Sequence, residues 1–209
     1  MAAALRWLAL GDSYTIGEAV PAAGGWPAQL AARLRDAGIA IDEPRIIATT
    51  GWTTDELSAA MDAAEPLGEW DVVSLLIGVN NQYRGRSTAD YRDEFHGLLR
   101  RAIALAGGRA DRVLALSIPD WGVTPFAGDS DRDAARITAE LDAYNAVARA
   151  LCEDEGTAFV DITPISRDDG GAPAMLADDG LHPSAAQYAR WADAALPVAA
   201  ALLADAANA

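Results

Sequence analysis

The sequence predicts an α/β fold in which helices cover both faces of a parallel β-sheet. The first observation is a continuous, largely apolar run over residues 4–10, which Gly11 and Asp12 terminate, as is typical of a buried parallel strand. The second is that such runs alternate with stretches of helical periodicity along the chain. The third is that 209 residues fit one domain with a substantial core. We therefore expect a single domain over residues 1–209.

Short apolar runs mark the strands, and the turns that follow them are candidate ligand sites. In open α/β sheets, ligands bind at the carboxyl ends of the strands. The loop over residues 119–131 follows the end of such a run, so we expect it to overhang the site. The predicted strands cover residues 4–10, 45–48, 71–77, 112–118 and 157–160.

Helical periodicity marks the segments between the strands. Residues 26–37 form a helical stretch that Gly38 closes. A final helix begins near Ser184, and we expect Pro197 to break or kink it. Two further helices are marked by apolar residues at helical spacing: Tyr91, Phe95, Leu98, Ala102 and Leu105 in the first, and Ile137, Leu141, Tyr144, Ala148 and Leu151 in the second.

Composition excludes several classes of partner. The formal net charge of −15 argues against nucleic acid and against anionic membrane surfaces. The single cysteine, Cys152, rules out an internal disulfide, and we expect it to be a buried small hydrophobe. The run 195–204 is too short to span a bilayer, and Arg6 interrupts the first apolar run. We expect a cytoplasmic protein, although a leader could have been removed; the oligomeric state is not readable from the sequence.

Ser13 is the candidate nucleophile, because it lies just beyond the first strand at the start of helix-like sequence. A serine hydroxyl needs a base and oxyanion donors to attack a carbonyl. The chain has two histidines, and His182 follows Asp179 at a spacing that lets the carboxylate orient the imidazole. The order Ser, Asp, His also occurs in α/β-hydrolases, but those carry a Gly-x-Ser-x-Gly elbow, which is missing here.

Two further turns offer oxyanion donors. Gly51 follows the second strand, and a glycine lets its backbone N–H approach a substrate oxygen closely. Asn80 follows the third strand, and its side-chain amide can donate a second hydrogen bond. The N–H of Ser13 would be the third donor.

These segments resemble the blocks of the SGNH/GDSL hydrolases: Gly-Asp-Ser, a lone Gly, Gly-x-Asn and Asp-x-x-His-Pro, in the family's order and over nearly the whole chain. The resemblance implies a three-layer α/β/α, flavodoxin-like fold with a five-stranded parallel sheet. It also implies an acyl-serine hydrolase without a cofactor, with Ser13, Asp179 and His182 as its triad. Gly51 and Asn80 would belong to its oxyanion hole. Two positions depart from the common pattern, Tyr14 in place of leucine and Asn81 in place of aspartate.

Less specific interpretations compete at several positions. A second Gly-Asp-Ser, at residues 128–130, precedes a helix without an apolar strand in front, so we interpret it as a helix cap. His96 lies inside a helical stretch and is interpreted as a surface or satisfied helix residue. Asp178 competes with Asp179, although the spacing favours Asp179. A metal site is conceivable but is not favoured, because no His or Cys accompanies its acidic residues: Asp168, Asp169, Asp178 and Asp179.

Two tryptophans are candidate substrate-binding residues, because Trp52 and Trp121 each follow a strand end near a proposed catalytic position. Residues 120–126 could form one wall of an acyl or sugar pocket. The sequence thus predicts a serine esterase acting on a small or medium carboxylic ester, such as an acetylated sugar. An acyltransferase, a lysophospholipase or thioesterase of the same fold, and a non-catalytic binding protein remain alternatives.

Overall fold

The computed structural model describes residues 3–204 and contains a five-stranded sheet whose strands are all parallel. The strand order is β2-β1-β3-β4-β5, so the direction of winding reverses between β1 and β3. At such a reversal the crossover connections leave on opposite faces and open a crevice at the carboxyl edge. The strands are β1 (Trp7–Gly11), β2 (Arg45–Ala48), β3 (Val72–Leu76), β4 (Val113–Leu116) and β5 (Ala158–Val160).

Helices cover both faces of this sheet and complete a three-layer α/β/α architecture. On one face α2 packs against α9; on the other, α5 packs against α3 and α7. The helices are α1 (Ser13–Ile16), α2 (Trp26–Asp36), α3 (Thr54–Ala63), α4 (Val79–Tyr83), α5 (Thr88–Leu105), α6 (Pro125–Gly128), α7 (Ala134–Glu155), α8 (Thr163–Asp169) and α9 (Ala185–Leu203).

The two central strands explain why the apolar runs of the sequence are continuous. Every residue of β1 and β3 is buried, whereas the edge strand β2 leaves Arg45 and Ile46 exposed. A strand covered by helices on both faces has no solvent side, so polar alternation disappears. The predicted α/β fold with a five-stranded parallel sheet is therefore confirmed.

Among the helices of ten or more residues, two features differ from the sequence-based expectation: α9 does not break at Pro197, and α3 was not predicted. Pro197 lies inside α9, yet the helix continues to Leu203. Ala199 and Leu203 are buried beyond the proline, so packing holds the last turns in place. Helix α3 was not predicted, because only Leu57 and Met61 mark its apolar face. Its capping box, in which the side chains of Thr53 and Glu56 bind each other's backbone N–H groups, was the available signal.

Candidate active site

The turn after β1 places Ser13 at the crevice between β1 and β3. Asp12 caps α1, its Oδ1 accepting the Tyr14 N–H at 3.0 Å, and Ser13 is only 5% exposed. Gly11 is required by close packing, since a Cβ there would lie 2.1 Å from Thr15 Oγ1 and 2.4 Å from the Leu76 carbonyl oxygen. The nucleophile candidate is therefore held on a tight, buried turn.

The carboxyl group of Asp12 is buried beside this turn and is only partly satisfied. Its Oδ2 has no hydrogen-bond partner within residues 3–204. Burial raises the pKa of Asp12 to about 7, and hydrogen bonds from the backbone N–H groups of Tyr14 and Gly78 offset only part of that effect. Ionisation of Asp12 near neutral pH is therefore costly to the folded protein.

Replacing Asp12 with asparagine should make stability less sensitive to rising pH. The folded protein binds this proton more tightly than the unfolded chain, so its contribution to stability is full below pH 3.8 and is lost as pH rises through about 7. Asparagine keeps the cap and cannot ionise. The measured quantity is the free energy of unfolding of Asp12→Asn minus that of the unmodified protein, from urea titrations. We expect this difference to be about 2–3 kcal/mol larger at pH 8 than at pH 5.

The matched control is Asp129→Asn, at the equivalent position of the second Gly-Asp-Ser, where the side chain is exposed. It should change stability equally at both pH values. A relative stability of Asp12→Asn that does not change between pH 5 and pH 8 would contradict this account.

His182 and Asp179 lie in one short turn before α9. Asp179 Oδ2 is 2.6 Å from His182 Nδ1, and Oδ1 accepts the N–H groups of Leu181 and His182, both at 2.9 Å. Gly180, with φ +67°, lets the chain reverse between the two side chains. Partial burial by itself would raise the pKa of Asp179, but the hydrogen bonds from His182 and from the backbone outweigh it and lower that pKa. Asp179 is thus kept as a carboxylate against the imidazole.

The candidate oxyanion donors lie on the two neighbouring turns. Gly51 follows β2 with φ +86°, and Asn80 lies in the first turn of α4, after β3. Asn80 Nδ2 donates to the Trp52 carbonyl at 2.9 Å; an amide has a second N–H, which leaves one for another acceptor. Gly78 holds the start of α4 at φ +129°, where a Cβ would lie 2.6 Å from the Tyr91 ring.

An open cleft brings the predicted residues together. Ser13, His182, Gly51 and Asn80 line it, and Asp179 lies behind His182, on its Nδ1 side. Trp121 also lines the cleft, whereas Trp52 is outside the lining and contacts Asn80 through its carbonyl oxygen. The remaining lining residues are Tyr14, Thr50, Val79, Tyr83, Phe126 and Leu181.

Aromatic side chains form the mouth of the cleft. Trp121 is buried, and its indole N–H donates to Gln82 Oε1 at 2.9 Å. Its ring centroid lies 5.6 Å from that of Tyr83 and 6.1 Å from that of Phe126, which are 43% and 36% exposed. Sequence reasoning did not identify Tyr83 as a site residue. Its position one helical turn after Asn80 was the feature of the sequence that could have indicated it.

The competing candidates lie elsewhere. Ser130 of the second Gly-Asp-Ser donates to the Ala127 carbonyl at 2.7 Å after α6, and Asp133, rather than Asp129 or Ser130, caps α7. The His96 imidazole lies 2.6 Å from Glu155 on α7. Cys152 is buried, as expected.

Within residues 3–204, no group of three or more His, Cys, Asp or Glu side chains is arranged to hold a metal ion. Asp168 and Asp169 pair with Arg190.

A serine turn at the carboxyl edge of a flavodoxin-like sheet, with an imidazole and a carboxylate close by, is typical of hydrolases. The chain belongs to the GDSL-like Lipase/Acylhydrolase family, whose model matches residues 9–190. No curated protein sequence matches the chain. Among the helices of residues 3–204, none combines the length and apolar character that crossing a bilayer requires.

Solved structures share this fold. TesA is 24% identical with a TM-score of 0.71, the match covering 95% of this chain and 99% of TesA. The acetylxylan esterase Axe2 from Geobacillus stearothermophilus is 20% identical with a TM-score of 0.72, covering 95% of each chain. The psychrotrophic esterase EstA from Pseudoalteromonas sp. is 16% identical with a TM-score of 0.65, covering 96% of this chain and 94% of EstA. At these identities the likeness establishes the fold alone.

Proposed function

We propose that this protein is a serine esterase that hydrolyses a small or medium carboxylic ester through an acyl-Ser13 intermediate. The observation that carries the proposal is the 2.6 Å contact between Asp179 and His182 Nδ1, in a cleft that Ser13, Gly51 and Asn80 also line. The carboxylate holds Nδ1 protonated, which leaves Nε2 free to accept the serine proton. We also propose that residues 1–209 form one hydrolase domain, since the family match spans most of the chain.

The proposed reaction has two halves. In the first, Ser13 Oγ attacks the ester carbonyl carbon while His182 Nε2 takes its proton. The tetrahedral oxyanion accepts hydrogen bonds from the Ser13 and Gly51 N–H groups and from Asn80 Nδ2. His182 then protonates the leaving alcohol, and the acyl group stays on Ser13. In the second half, His182 activates a water that attacks the acyl-enzyme and releases the acid.

The cleft favours a compact, partly apolar substrate. Its mouth is aromatic: Trp121 contacts both Tyr83 and Phe126, and these two exposed rings offer a surface on which a sugar ring or an aromatic alcohol can stack. The net charge of −15 disfavours anionic lipid surfaces. One structural neighbour is an acetylxylan esterase, which agrees with a short acyl group on a sugar. We therefore favour short-chain esters, acetylated sugars included, over phospholipids.

The test is hydrolysis of a p-nitrophenyl ester series from acetyl to longer acyl chains, combined with intact mass spectrometry of the quenched enzyme. We expect turnover that falls with chain length and an enzyme species heavier by one acyl group, located on Ser13. Adding sugar or alcohol acceptors separates hydrolysis from transfer, because a transferase yields a new ester in place of free acid. A folded protein that turns over no ester or thioester, and carries no acyl group, would contradict the proposal.

A further inference from the structure

Arg84 bridges the helix that carries Asn80 and the loop that carries Gly51. It lies at the end of α4, and its Nη2 donates to the Gly51 carbonyl oxygen at 2.6 Å. Its Nη1 pairs with Glu56 Oε1 at 3.1 Å, in the first turn of α3. Hydrogen bonds from a charged donor are stronger than neutral ones, so this bond is well suited to hold a backbone carbonyl.

Two asparagines of α4 bind the same loop and the first residue of α3, which follows it. Asn80 Nδ2 donates to the Trp52 carbonyl at 2.9 Å, so consecutive carbonyls of the loop are held by donors at the two ends of α4. Asn81, one of the two residues that depart from the common family pattern, accepts the Thr54 N–H at 3.1 Å and donates to Thr54 Oγ1 at 2.6 Å. The loop between β2 and α3 is thus positioned from α4.

Gly51 is the residue of this loop with the most conformational freedom. A glycine populates positive and negative φ about equally, so the sequence itself does not keep Gly51 at φ +86°. An oxyanion donor is effective only when its direction is set before the charge develops. Side-chain packing adds little restraint, since a Cβ built on Gly51 would meet only Arg84 Nη2, at 4.0 Å. One backbone hydrogen bond closes the turn, from the Trp52 N–H to the Thr49 carbonyl at 3.3 Å, and Arg84 adds a charged donor at the Gly51 carbonyl itself.

We propose that Arg84 is a positioning residue, which keeps the Gly51 N–H directed at the developing oxyanion by holding the Gly51 carbonyl. This inference rests on the proposed esterase function. As a surface ion pair alone, with side chains 43% and 40% exposed, Arg84 and Glu56 would contribute little to stability. A surface ion pair and a positioning residue predict different kinetics. Orientation of an oxyanion donor affects the transition state rather than substrate binding, so its loss lowers kcat and leaves KM nearly unchanged.

Arg86 provides a matched control. It pairs with Asp55 at 2.6 Å and so joins the segment after α4 to the first turn of α3, as Arg84 does. Among the described residues its side chain bonds Asp55 and Glu94, and it makes no hydrogen bond to Gly51 or Trp52. Arg86→Met therefore removes a guanidinium that pairs with the first turn of α3, without removing a hydrogen bond to Gly51 or Trp52.

The experiment compares Arg84→Met and Arg86→Met for p-nitrophenyl acetate hydrolysis, for thermal unfolding, and for binding of an alkyl boronic acid that forms a tetrahedral adduct on serine. We expect Arg84→Met to lower kcat by about tenfold to a hundredfold with KM within about twofold, and to weaken the boronate adduct by a similar factor. Arg86→Met should stay within about twofold of the unmodified protein in kcat. If Arg84→Met does not fold, Arg84→Gln takes its place in the comparison, because the glutamine amide cannot reach both Gly51 and Glu56.

Equal kcat values for the Arg84 and Arg86 variants would overturn the positioning role and leave the esterase proposal standing. So would a change confined to KM or to the unfolding temperature. An unmodified protein that hydrolyses no ester would instead overturn the proposed function, and this inference with it.

Discussion

Replacement of Ser13 by alanine is expected to lower kcat for ester hydrolysis by roughly 10⁴- to 10⁶-fold while leaving the fold intact. The Ser13 Oγ is the atom that would form the acyl-enzyme, and alanine has no hydroxyl to acylate. A methyl group fits the same space, and Asp12 still caps α1 through the Tyr14 N–H. Residual turnover would come from the oxyanion donors and from binding. Steady-state hydrolysis of p-nitrophenyl acetate and mass spectrometry of the trapped enzyme measure the effect.

The chain supplies its own control for this variant. Ser130→Ala alters the serine of the second Gly-Asp-Ser, which bonds the Ala127 carbonyl and is absent from the cleft lining. It should keep full activity. Ser13→Ala with activity near that of the unmodified protein, or an acyl group found on another residue, would contradict the assignment of the nucleophile.

Asp179→Asn is expected to lower kcat by about 10³- to 10⁴-fold, for a reason that the hydrogen bonds of this turn define. Oδ1 accepts the N–H groups of Leu181 and His182, so asparagine must keep its carbonyl oxygen there and direct its NH₂ group at His182 Nδ1. Nδ1 then accepts a hydrogen bond, and the imidazole proton moves to Nε2. An Nε2 that carries a proton cannot take the proton of Ser13.

The comparison variant is Asp178→Asn, which changes the neighbouring, exposed carboxylate. We expect its kcat to remain within about twofold of the unmodified protein, because surface charges interact weakly. Nitrogen NMR of the imidazole reports the tautomer directly, and His96 is the only other histidine to assign. If Asp178→Asn lowered kcat and Asp179→Asn did not, Asp178 rather than Asp179 would be the carboxylate that orients His182.

Much of the fold was readable from local sequence. The buried strands β1 and β3 were predictable because a strand covered on both faces is apolar at every position. The long helices α5 and α7 were predictable from a periodic apolar face. Helix α3 was not, since a weak apolar face leaves only its capping box to signal it. The course of α9 through Pro197 depended on packing against α2, which local propensity does not encode.

For the candidate site, the sequence by itself determined which residues are candidates: Ser13 after β1, Gly51 after β2, Asn80 after β3, and Asp179 three residues before His182. Strand ends fall at one edge of a parallel sheet, so local order along the chain suffices to group Ser13, Gly51 and Asn80. Asp179 and His182 follow no strand directly, so for them local sequence gives only the spacing between the two side chains. Only the tertiary structure decided the rest. It places the ring of Trp121 in the cleft and that of Trp52 outside it, adds Tyr83 to the mouth, and brings Arg84 onto the Gly51 carbonyl. Those outcomes depend on side-chain directions and on contacts between residues far apart in the chain, which the periodicity of a single segment does not contain.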